Sequence, residues 1–195
     1  MAQERVGQAI ELRVERVAQL FQTLDPFPFP EKDLDREAEE FIVGWARELP
    51  RDGDIRIIVH LPQSEVTSEH AKSLGEAIGR YFAYRADMVT LDLKEMLRIG
   101  RRSLVIGATV LAVCIIAAQG LSRIIRTEAV AEYVSESLLI LGWVANWRPI
   151  EILLYDWWPI ARRRNLMRRL ARADVELRPF TPRPSNAVPP ARTQG

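Results

Sequence analysis

Cysteine is nearly absent: the 195 residues hold one, Cys114. No disulfide can close within the chain and no cysteine-based metal cluster can be built. A lone Cys inside an apolar run reads as a small packing residue. Histidine is scarce too, with only His60 and His70. A metal site needs three or more ligands with supporting contacts, and no spacing motif joins His60 to Asp25, Asp33 or Asp35. There is no glycine-rich phosphate loop, no Gly-x-Ser-x-Gly elbow and no His-Glu-x-x-His pair. The opening MAQERVGQAIELRVERV lacks an apolar core and so predicts no secretory signal. These absences leave no catalytic, cofactor-binding or metal-binding residue to assign.

Charge is missing from one stretch in particular. The twenty residues Ser103 to Ser122 carry none, between Arg101-Arg102 and Arg123. A helix of that length covers roughly 30 Å, the hydrocarbon thickness of a bilayer. The run predicts a membrane anchor, with transmembrane helix 1 at residues 103–125. The mean hydropathy of −0.09 hides it. The net charge of +1 hides a split as well: residues 1–100 hold 13 Lys and Arg against 19 Asp and Glu, whereas residues 101–195 hold 14 against 7. An acidic folded module joined to a basic membrane half follows from that asymmetry.

The first 86 residues read as an α+β module, a small sheet with two helices. Ile10, Leu12 and Val14 alternate with Glu11, Arg13 and Glu15, the period of a half-buried strand. Prolines at 26, 28 and 30 forbid a helix and favour an extended segment. Asp33 or Asp35 can cap a helix over 34–49, with Leu34, Ala38, Phe41, Ile42, Trp45 and Leu49 on its apolar side and Pro50 at its end. The run of acids from Glu31 to Glu40 suits a solvated helix start. Asp52-Gly53 is a turn. Residues 54–61 form a second, more central strand rich in β-branched residues, ended by Pro62. Ser64 or Thr67 starts a second helix that buries Ala71, Leu74, Ile78, Tyr81, Phe82 and Tyr84. Gly75 and Gly79 lie on it at the spacing of a membrane dimer motif, but the helix is too polar for that meaning.

Residues 87–102 continue as a juxtamembrane helix into the first span. The second span is expected at 129–148, with Glu132 and Glu136 near its start and Pro149 opening a new helix along the membrane surface. Four of the five tryptophans, Trp143, Trp147, Trp157 and Trp158, cluster there as interfacial anchors. Six arginines in eleven residues follow (Arg162, Arg163, Arg164, Arg168, Arg169, Arg172) with no acid among them. They read as a cytoplasmic positive flank and candidate anionic-lipid contacts. No aromatic interleaving accompanies them, so nucleic acid is not expected. Basic residues flank both inner ends while the 123–129 loop holds two, which puts both termini in the cytoplasm. ADVELRP at 173–179 repeats the ELR triplet of the first strand and can return to the sheet; the proline-rich tail 180–195 reads as disordered. Arg148, Glu151 and Asp156 form the candidate polar site, because charges in an apolar setting are costly and are usually paired or functional. The expected partners are the lipid bilayer and a protein partner or a second copy.

Several blocks resemble those of a group of uncharacterised small bacterial inner-membrane proteins with two transmembrane helices. They are Leu24-Asp25-Pro26, Glu31 to Asp35, Glu39 to Val43, Val59 to Pro62, Tyr81 to Ala86, and Trp147-Arg148-Pro149-Ile150-Glu151 with Tyr155-Asp156-Trp157-Trp158-Pro159-Ile160. The resemblance covers roughly residues 9–180. It implies a bacterial plasma membrane and two spans, and brings no activity, cofactor or catalytic residue.

Overall fold

The computed structural model describes residues 9–22, 32–50, 53–125 and 127–180, the side chain of Ser122 excepted. The proline segment at 26–30, Asp52 of the expected turn and the tail from 181 lie outside these residues. The chain divides into two compact units, Met1–Tyr84 with Leu166–Gly195, and Arg85–Asn165.

The first unit is built on a three-stranded parallel sheet in the order β1-β2-β3, with β1 Ala9–Arg13, β2 Arg56–Pro62 and β3 Asp174–Phe180. The alternation read in the sequence becomes two faces. Ile10, Leu12, Ile57, Val59 and Leu61 are buried on one, with Val175 and Leu177 in register beside them. Glu11, Arg13, His60, Glu176 and Arg178 share the other, where Ile58 stands between Glu11 and Glu176 and is nonetheless buried. The middle position of β2 explains its larger share of buried residues. On the polar face His60 Nε2 meets Glu11 Oε2 at 3.2 Å, Arg178 Nε donates to Glu176 at 2.9 Å, and the Arg13 guanidinium lies 4.0 Å from the centre of the Phe180 ring. The Arg178 hydrogen bond holds the Glu176 carboxyl below the usual carboxylate range.

Helix α1, Arg36–Glu48, connects β1 to β2. Of the two candidate caps, Asp35 is the one used; its carboxylate accepts from the Glu37 N–H at 2.9 Å. Leu34 precedes the helix in an antiparallel bridge with Phe21. The buried stripe is narrower than expected: Ile42, Val43 and Ala46 face inward, while Phe41 and Trp45 are 44% and 50% exposed and lie against each other at 6.2 Å. A helix on a sheet can bury a stripe only some 100° wide, and here the smaller residues occupy it.

The second helix starts differently from the sequence reading. After β2 come two single turns, α2 Gln63–Val66 and α3 Glu69–Lys72, and then α4 from Leu74. A serine cap is found on α3, where Ser68 accepts from the Ala71 N–H at 3.1 Å, and not at Ser64 or Thr67. Ala71, Leu74, Ile78 and Phe82 are buried as expected, joined by Ala77, but Tyr84 is 57% exposed. Tyr81 donates its hydroxyl to Glu39 on α1 at 2.8 Å. Gly75 and Gly79 let α4 lie close to the returning chain: a Cβ on Gly79 would stand 3.1 Å from the Ala171 carbonyl oxygen, and one on Gly75 would stand 3.5 Å from Val175. Met167 and Leu170, just before β3, complete this core.

The second unit holds the remainder of α4, which runs unbroken over Leu74–Ile124. Helix α5, Glu128–Glu151, follows. Pro149 sits inside α5 instead of opening a new helix. A π-helical turn, Ile152–Asp156, and α6, Trp157–Leu170, continue it directly. Two helical stretches, Leu74–Leu121 and Glu128–Leu170, are long and apolar enough to cross a membrane.

Candidate functional site

In the second unit α4 and α5 pack closely and run in opposite directions. Three contacts fix their register. A Cβ on Gly142 would fall 2.6 Å from Leu111 Cδ1 and 3.1 Å from its Cα; one on Gly107 would fall 2.7 Å from Asn146 Oδ1 and 3.0 Å from the Ala145 carbonyl oxygen; one on Gly100 would fall 2.8 Å from Ile152 Cγ2. The pairs Leu111–Gly142, Gly107–Asn146 and Gly100–Ile152 step along the two helices at the same pace. Small residues at such crossings let backbones approach. Cys114 is buried at this contact, its Cβ 3.5 Å from the Cβ position on Gly142, in the packing role expected of it.

A polar lock sits in the middle of the seam. Asn146 Nδ2 donates to the Gly107 carbonyl at 3.0 Å and to the Gly142 carbonyl one turn back at 2.9 Å. Three residues on, Pro149 has no N–H to give the Ala145 carbonyl, and its ring crowds that oxygen. Gly107 leaves the room into which the oxygen is aimed. The sequence reading missed Asn146 and Gly107. The available signal was an amide in the apolar stretch between Glu136 and Arg148, four residues from a glycine.

The same register sets the level of the charged cluster. Gly100 faces Ile152, so Arg101 and Arg102 lie at the height of Glu151, where the charge-free run of α4 ends. Arg148 is a turn deeper. Its Nη1 reaches Glu151 Oε2 at 2.9 Å and Asp156 Oδ2 at 3.6 Å, so the structure brings all three predicted residues together. The π-helical turn makes the eight-residue reach from 148 to 156 possible. Such turns insert an extra residue and recur at functional sites. All three side chains keep solvent-accessible surface, from 31% at Asp156 to 67% at Arg148. The site carries one cation and two anions, all partly open to solvent. Among the described residues no cluster of His, Cys, Asp and Glu could hold a metal ion.

The aromatic and basic residues divide. Trp157 and Trp158 follow the π-turn, and the Arg162 guanidinium lies 5.9 Å from the Trp158 ring centre. The Trp143 and Trp147 rings lie tilted to each other, 6.4 Å between centres, on the outward side of α5. Trp143 adjoins Gly142, so it stands midway along the uncharged run, and Trp157 and Trp158 stand beyond its end. Arg162, Arg163 and Arg168 are exposed, whereas Arg164 bonds Asn165 Oδ1 at 3.2 Å. Arg169 is used within the sheet unit: its Nη2 donates to the carbonyls of Pro50 and Gly53, both at 2.7 Å. Arg169 thus ties the carbonyls of Pro50 and Gly53 together.

The chain matches no family model, no curated protein and no solved structure.

Proposed function

We propose that this chain is an integral protein of the bacterial plasma membrane, non-enzymatic, whose cytoplasmic α/β module docks a membrane partner or organises a complex. The observation that carries the reading is the pairing of β2 with β3. These strands precede and follow both long apolar helices, yet they are hydrogen-bonded neighbours. Strands of one sheet lie on one side of a bilayer, so the chain between them crosses it twice or not at all. The apolar windows of the two helices favour twice: 17% of each is buried inside the chain, whereas a soluble core helix is mostly covered. With the basic flanks at both inner ends, the sheet and both termini fall in the cytoplasm.

Reporter fusions at Thr127 and Gly195 test the topology; opposite sides are expected, and same-side signals would sink it. Partner docking is tested by purification in mild detergent. A defined oligomer or a stoichiometric partner is expected, and a lipid-only monomer would overturn it.

A second reading is favoured by one observation, Arg148 held between two carboxylates level with Arg101 and Arg102. In it, this cluster recognises a lipid headgroup, with Arg162 and Arg163 of the same unit available to phosphates. Retained lipid, measured by mass spectrometry of the purified protein, then changes in class with Glu151→Gln and Asp156→Asn. An unchanged lipid profile would reject it.

A further inference from the structure

A three-stranded parallel sheet has two open edges, and open edges attract further strands. The two are not equivalent here. Along a strand, successive N–H and C=O groups point to alternate sides. On β3 the Asp174 N–H donates to the Ile55 carbonyl at 3.0 Å, so the even-numbered residues face β2 and Val175, Leu177 and Pro179 face outward. Pro179 has no N–H. The outer edge of β3 therefore lacks a donor where a fourth strand would need it, a common protection of sheet edges.

On β1 the Val14 N–H donates to the His60 carbonyl at 3.1 Å, so Ile10 and Leu12 face β2 while Ala9, Glu11 and Arg13 face outward. No proline interrupts this edge, and none of its outward groups has a backbone partner among the described residues. The outward residues also carry opposite charges two positions apart. In an antiparallel pair centred on Leu12, Glu11 of one strand stands opposite Arg13 of the other, and the reverse. Each such pair exchanges both N–H···O=C bonds, about four in all, and adds a cross-strand ion pair. Sliding the register by two residues, the next step that keeps outward groups opposed, sets Glu11 against Glu11, or Arg13 against Arg13, and is disfavoured.

We infer that the β1 edge is a self-complementary docking surface for a second copy of this chain, which joins two three-stranded sheets into one of six strands through Glu11 and Arg13. The inference rests on the sheet alone and stands whether or not the membrane reading does. The two fail separately, because a dimer made through another surface would leave the docking function intact and refute this edge.

The test uses the full chain in isolated membranes, with Cys114→Ala removing the native thiol. Two differently tagged copies, one with Glu11→Cys and one with Arg13→Cys, are co-expressed and oxidised with copper phenanthroline. Opposite Cα atoms of such a pair lie about 5.5 Å apart, within disulfide range, whereas like positions lie diagonally at about 7–8 Å. Disulfides joining the two tags are expected to dominate. Their absence, or like-tag disulfides forming as readily, would overturn the inference. A second measurement keeps the test independent of thiols. Glu11→Pro removes an outward N–H and none that pairs with β2, so purified protein is expected to keep its strand signal in circular dichroism and become monomeric. A dimer that survives Glu11→Pro refutes the inference. Glu11→Arg alone is expected to weaken association about tenfold, and the double variant Glu11→Arg with Arg13→Glu to restore it; failure to restore counts against the register.

Discussion

Pro149, Gly107 and Asn146 act as a set. The proline leaves the Ala145 carbonyl without its helical donor, the glycine gives that oxygen space, and the amide ties the Gly107 carbonyl to α5. Gly107→Ala places a methyl 3.0 Å from a backbone oxygen and 2.7 Å from an amide oxygen, and only the latter can swing away. Overpacking of this kind costs about 1–3 kcal/mol; a thermal melt of the purified protein in detergent is expected to fall by several degrees. Asn146→Leu costs less, about 0.6–2 kcal/mol, because both carbonyls keep their own helical bonds. Equal melting points for Gly107→Ala and the parent would remove the close-approach account. Little of this was legible in the sequence. Arg148, Glu151 and Asp156 stood out as charges in an apolar stretch, but nothing in their spacing announced a π-turn, since the extra residue is set by packing around Pro149. Glu176 gives the pH-sensitive prediction. Its pKa is depressed in the folded state by Arg178, so its stabilising effect is present above the unfolded value, near pH 4, and is lost as pH falls through the folded one. Titration followed by carboxyl NMR is expected to show Glu176 moving upward in Arg178→Met; an unshifted titration would reject the pairing.

At the scale of elements, periodicity carried furthest where one face is wet. Leu12 against Glu11 and Arg13, and Val175 and Leu177 against Glu176 and Arg178, gave β1 and β3 their alternation, and the β-branched run gave β2 its central place. Alternation is the same for parallel and antiparallel pairs, so it does not determine strand direction. Helix ends were less legible. Four hydroxyl residues, Ser64, Thr67, Ser68 and Ser73, precede Leu74, and Ser68 caps the single turn α3 ahead of α4, which buries Leu74, Ala77 and Ile78. Pro149 was read as a helix start because proline favours that position. It is tolerated two residues from the end of α5, where the π-turn absorbs the lost bond. Pro149→Ala restores a donor to Ala145. The expected outcome is slower amide exchange across residues 145–156 and a higher melting point; unchanged exchange would mean that the turn has another cause.

On the scale of the whole molecule, the connection from β2 to β3 is a crossover of unusual form. Parallel strands need a connection of a dozen or more residues, ordinarily one helix. Here the connection leaves along the first turns of α4 and returns along the last turns of α6, with residues 85–165 between them as a unit of their own. Gly79 lies against Ala171 and Gly75 against Val175, so the departing and returning chains run side by side in opposite directions. Continued at the same pace, that pairing sets Tyr84 near Leu166, the two ends of the sheet unit. A chain in which residues 85–165 are replaced by a short glycine–serine linker therefore closes the crossover over a small gap and keeps the buried set Ile10, Ile57, Val59, Ile78, Phe82, Met167 and Leu170. It is expected to be soluble without detergent and to unfold in one cooperative transition with denaturant. Its Arg169 is expected to stay bonded to the Pro50 and Gly53 carbonyls, so Arg169→Ala should lower the midpoint in the short chain and the full one alike. An aggregated or unfolded short chain would mean that the sheet depends on residues 85–165 for its fold, and the description of those residues as an insertion into an independent α/β unit would have to be given up.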